Sequence, residues 1–86
     1  MAYDYYVTRL TLDTQEILIW SRPYATDKDA IRSAKRMAKN RAIWSNANIV
    51  KLEILAKCTS MPNSEQIRYI EKFAEEQVLY LIIDNT

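Results

Sequence analysis

The chain has 86 residues, a formal net charge of +1 from 12 Lys and Arg against 11 Asp and Glu, and 49% hydrophobic residues. Those proportions describe one ordinary globular domain over residues 1–86, not a disordered tail or a fibrous repeat. There is no His and no Gly, which excludes a histidine base, the commonest zinc ligand, and the glycine-dependent P-loop and G-x-G-x-x-G turns. The single Cys excludes an internal disulfide and a Cys-based metal cage.

Residues Tyr3 to Leu12 are rich in aromatic and β-branched side chains and read as a strand. Asp13-Thr14-Gln15 forms a polar connection to the apolar run Ile17-Leu18-Ile19-Trp20, so the two runs predict a β-hairpin, with Asp13 in any left-handed turn position. Pro23 is expected to break the second strand. Thr26 then reads as a helix N-cap with Asp29 as the capping-box acid, and Asp27 and Asp29 suit the positive end of the helix dipole. The helix continues to about Ile43, with Ala30, Ile31, Ala34, Met37 and Ala38 on its core side.

Residues 49–58 give the clearest pattern. Val50, Leu52, Ile54, Ala56 and Cys58 alternate with Lys51, Glu53 and Lys57, with Leu55 as the exception on the polar side, and predict a half-buried strand. After Pro62, Asn63 or Ser64 caps a second helix whose core side is Ile67, Ile70, Phe73 and Ala74. With no turn residue before it, the apolar run Val78–Ile83 is read as a continuation of that helix, and a fourth strand is the alternative. The expected class is α+β, in the order β-β-α-β-α. It has a mainly antiparallel three-stranded sheet, a fourth C-terminal strand as the variant, and both helices on one face.

Three features bear on function. Tyr3, Tyr5 and Tyr6 crowd the start of the first strand, which reads as an edge strand; three tyrosines there cannot all point inward, so they are candidates for a protein interface. The apolar tail, with Leu79, Tyr80 and Ile82, needs cover on more than one side and is a second interface candidate. Lys28, Arg32, Lys35, Arg36 and Lys39 share one helix face and are the residues a nucleic-acid binder would use on phosphates, although a solvated face accounts for them too. Trp20 and Trp44 are placed at the two ends of the core.

Catalysis has little to build on. Cys58 has no His to activate it and reads as a structural thiol, and no pair of carboxylates sits at a spacing that implies a shared site. No metal or cofactor is expected. The chain is similar in general manner, though in no quotable motif, to small phage-encoded proteins that bind and inhibit a host factor. The sequence therefore points to a non-enzymatic protein-binding module, an inhibitor or adaptor, with nucleic-acid binding as the alternative. A small core with exposed apolar surface suggests a homodimer or an obligate complex. The N-terminal residues lack the regions of a signal peptide, and the run at 78–83 falls far short of the ~20 residues of a membrane span. With the lone thiol, this suggests a cytoplasmic protein that binds no membrane.

Overall fold

Strands β1 (Asp4–Leu12) and β2 (Ile17–Tyr24) form the expected hairpin. The structure, a computed structural model, describes residues 2–86. Gln15, with φ 72°, takes the left-handed turn position expected of Asp13. Asp13 is held elsewhere: its carboxylate accepts from the backbone N–H of Asn48 at 3.0 Å and from the Asn48 side-chain amide at 2.9 Å. The three-residue loop thus keeps its left-handed residue last, where a bulged hairpin turn requires it. Pro23 does not end β2. It lies inside the strand, which is an edge strand of the sheet and so has one side on which a missing N–H costs nothing.

Helix α1 (Asp27–Trp44) starts at the expected cap, Thr26, whose side chain accepts from the Asp29 N–H at 3.1 Å. Strand β3 (Ile49–Cys58) follows, then helix α2 (Ser64–Phe73), capped by a reciprocal pair in which Asn63 and Gln66 each accept from the other's backbone N–H. The tail is the fourth strand, not a longer helix: β4 spans Tyr80–Asp84 and pairs antiparallel with β3. Extended, its β-branched and aromatic residues add a ladder to the open side of β3 and turn Ile82 and Ile83 onto the core. A helix there would be apolar all round with only one side to bury.

The sheet order is β2-β1-β3-β4 with every neighbouring pair antiparallel. The class, the element order with its terminal strand and the antiparallel sheet all match the α+β expectation. The helices, however, do not share a face. The alanine stripe of α1 (Ala30, Ala34, Ala38 and Ala42) packs on Tyr6, Leu10, Leu12, Leu52 and Ile54. Ile70 and Ala74, at the end of α2, pack on Val7 and Leu55. Val7 lies between Tyr6 and Thr8 on one strand, so its side chain points to the opposite side of the sheet.

A β-bulge explains why the alternation in β3 misleads. Val7 pairs with Ala56 but Thr8 pairs with Ile54, so Leu55 is the extra residue. Leu52 and Ile54 face α1. Beyond the bulge the faces exchange: Cys58 turns toward α2, and Lys57 turns toward the N-terminus of α1. Leu55, the apparent exception, is a core residue of the α2 side, 5% exposed.

Candidate functional site

Because β1 is a central strand, it offers no edge, and the tyrosines at its start are dispersed. Tyr6 is 1% exposed and belongs to the core under α1, so it drops out of the interface set. Tyr5 is half-buried, and its neighbour Tyr3 is 52% exposed. In the tail, Tyr80 and Ile82 pack against the same core, while Leu79 stays exposed. Of the six residues singled out for protein binding, Tyr3 and Leu79 are the well-exposed ones. Trp20 is at the core edge as expected, but Trp44 is not: it is largely exposed and carries the Arg41 guanidinium 4.8 Å from its ring centre. Phe73 was assigned to the core of α2, yet it is more than half exposed.

The densest polar cluster of the fold gathers around Asp27, in the first turn of α1. The Tyr6 hydroxyl donates to its Oδ1 at 2.5 Å, the Tyr80 hydroxyl to its Oδ2 at 2.5 Å, and Lys57 Nζ to Oδ1 at 3.2 Å. The Lys57 ammonium also sits 5.9 Å from the centre of the Tyr6 ring. These donors, with the Tyr6 hydroxyl foremost, hold the Asp27 carboxyl at about 2. Burial, followed by the hydrogen bond to Asp27, pushes the Tyr6 phenol well above its ordinary range. The Asp27 hydrogen bond likewise raises Tyr80 and Lys57. A carboxylate with three donors and a phenol kept protonated make a structural clasp, joining α1 to β1, β3 and β4.

Cys58 is half-buried, and burial raises its thiol pKa. Among the described residues no three His, Cys, Asp or Glu side chains come together as metal ligands would. No helix is long and apolar enough to cross a membrane.

The α2 side of the sheet looks different. Tyr69 and Phe73 stack on each other with ring centres 6.2 Å apart, exposed by 69% and 55%. Beside them runs a shallow groove of about 310 Å³, floored by Leu55 and Ala56 and bordered by Ile70 and Gln77. It continues past Phe73 to Val78 and Leu79. Beyond the end of α2, the sheet face itself is uncovered. One row across it reads Ile19, Arg9, Glu53, Leu81, and Leu81 is half exposed. Arg9 and Glu53 form an ion pair at 3.0 Å in the middle of that row, with the Glu53 side chain only 5% exposed. The pair satisfies both charges within the sheet, leaving apolar side chains at both ends of the row.

The five cations of α1 (Lys28, Arg32, Lys35, Arg36 and Lys39) are all exposed, and none is in an ion pair among the described residues. They lie on the solvent side of α1, opposite the buried alanines. Tyr69 drew no reading in the sequence, and Leu81 was covered only as part of the apolar tail Val78–Ile83, without being singled out. Comparison of the chain with family models, with curated proteins and with solved structures finds no match.

Proposed function

We propose that the protein is a non-enzymatic binding module for another protein, acting as an inhibitor or adaptor, and that it binds through the α2 side of its sheet. The observation that carries this reading is the exposed Tyr69–Phe73 stack over the groove floored by Leu55 and Ala56, continued by Leu79 and Leu81. Aromatic anchors beside a preformed apolar groove are what protein interfaces concentrate their binding energy in. Satellite charges are absorbed by the Arg9–Glu53 pair, so a partner meets no unpaired buried charge there.

The test uses the protein as bait in three forms. A partner captured by the parent protein is expected to be lost with Tyr69→Ser/Phe73→Ser and retained with Lys35→Glu/Lys39→Glu. Both substituted pairs are exposed, so folding is expected to survive in each. Loss with the lysine pair and retention with the aromatic pair would overturn the reading. It would favour the second one, in which the unpaired cations of α1 track the phosphates of a nucleic acid.

A further inference from the structure

The two edges of the sheet are not equivalent. β4 has 5 residues, and its register with β3 shifts between Leu52 and Glu53, a short and bulged edge of the kind that resists pairing. β2 has 8 residues and pairs with β1 without a register shift from Thr11↔Ile17 to Asp4↔Tyr24. Leu12 donates to the Glu16 carbonyl at 2.9 Å, which sets the hydrogen-bonded phase of the hairpin. Even-numbered residues of β2 therefore turn their backbone groups to β1. Ile17, Ile19 and Ser21 turn theirs outward, and Pro23, also outward, has no N–H to offer. The open ladder is thus bounded by the turn at one end and by Pro23 at the other.

That edge is complementary to itself. An antiparallel pair centred on Ile19 sets Ile17 against Ser21 of the other copy and Ile19 against Ile19, so all three outward residues fall in hydrogen-bonded positions. The same register sets Leu18 beside Trp20, both only partly buried in one subunit. It also sets Glu16 opposite Arg22. Both neighbouring registers that keep the outward residues in phase separate those two charges. Arg22 is exposed and has no ion-pair partner among the described residues. Glu16 is half exposed, with one oxygen on the Arg41 guanidinium at 2.8 Å and the other on Ser45 at 3.3 Å.

We propose that the occupant of this edge is a second copy of the same chain, joined β2 to β2 about a two-fold axis at Ile19 into a continuous eight-stranded antiparallel sheet. The assembly doubles the uncovered sheet face, because Ile17 and Ile19 of both copies meet on it, and it leaves the Tyr69–Phe73 groove of each copy free. The proposal does not depend on what binds at α2.

Sedimentation of the full chain over a micromolar concentration series tests it, together with Trp20 emission in a Trp44→Phe background. The expected result is a monomer–dimer equilibrium with a blue shift of Trp20 on association. Arg22→Glu, an exposed change, places like charges together twice per dimer and should weaken it at least about tenfold, while Arg22→Lys retains it. Ser21→Pro removes an outward donor that the single subunit does not use, and should yield a folded monomer. A parent protein that stays monomeric at high micromolar concentration, or a dimer indifferent to both Arg22→Glu and Ser21→Pro, overturns the assignment.

Discussion

Replacing Asp27 by Ala removes an acceptor shared by three side chains, and the structure allows the cost to be worked out. The Tyr6 hydroxyl belongs to a residue 1% exposed, and without Asp27 it is a buried donor with no partner, which costs about 1–3 kcal/mol. Tyr80 is half-buried and can turn to water, so its lost bond is worth about 0.5–1.5 kcal/mol. The exposed Lys57 pair is screened by solvent and adds little, and the lost negative charge in the first turn of α1 costs about 0.5 kcal/mol. The expected destabilisation is about 2–5 kcal/mol, read from urea titrations followed by far-ultraviolet circular dichroism. Tyr6→Phe removes the hydroxyl together with its demand for a partner and should cost only about 1 kcal/mol. In the Tyr6→Phe background, Asp27→Ala should then cost at least about 1 kcal/mol less than in the parent. Additive single and double variants, or an Asp27→Ala protein within about 0.5 kcal/mol of the parent, would refute the clasp.

The remaining predictions are shorter. Leu52 is fully buried against the alanine stripe of α1, so Leu52→Asp should leave no cooperative unfolding transition; a parent-like melting temperature would contradict the α1 core. The Asp27 carboxyl is held at about 2, below the ~3.9 of an unfolded chain, so the stability it adds is present above about pH 4 and is lost as pH falls toward 2. With that side chain 35% exposed, screening reduces the amount to about 1 kcal/mol, and Asp27→Asn should flatten this part of the acid limb. In a gel-shift assay at about 50 mM salt, the parent protein should show no binding to DNA or RNA that Lys35→Glu/Lys39→Glu removes; binding that also weakens steeply toward about 200 mM would favour the nucleic-acid reading.

The sequence displayed the elements wherever one periodicity ran undisturbed. Ala30, Ala34 and Ala38 kept helical spacing, Thr26 and Asn63 offered caps, and the hairpin lay between two apolar runs. It misled at the bulge. A single extra residue, Leu55, reverses the faces of everything after it, so Lys57 reaches Asp27 and Cys58 joins the α2 side, a change that no count of alternating residues reveals. The tyrosine cluster misled for another reason. Read as an edge strand, β1 had an open side; inserted between β2 and β3, it has none, and Tyr6 became a core residue with its hydroxyl satisfied 21 positions away. The candidate surface was only partly legible: the apolar tail flagged the side of Leu79 and Leu81, but Phe73 looks like a core residue until it is seen that α2 ends before it covers the sheet.

Both the proposed binding surface and the paired-sheet dimer rest on a sheet covered by α1 on one face and only half covered by α2 on the other. Methyl-to-methyl nuclear Overhauser contacts measure this directly. Ala34 and Ala38 should contact Leu10 and Leu52, Ala74 and Ile70 should contact Val7 and Leu55, and Ile17 should contact neither helix. Contacts from Val7 or Leu55 to Ala34 or Ala38 would place both helices on one face and contradict the account.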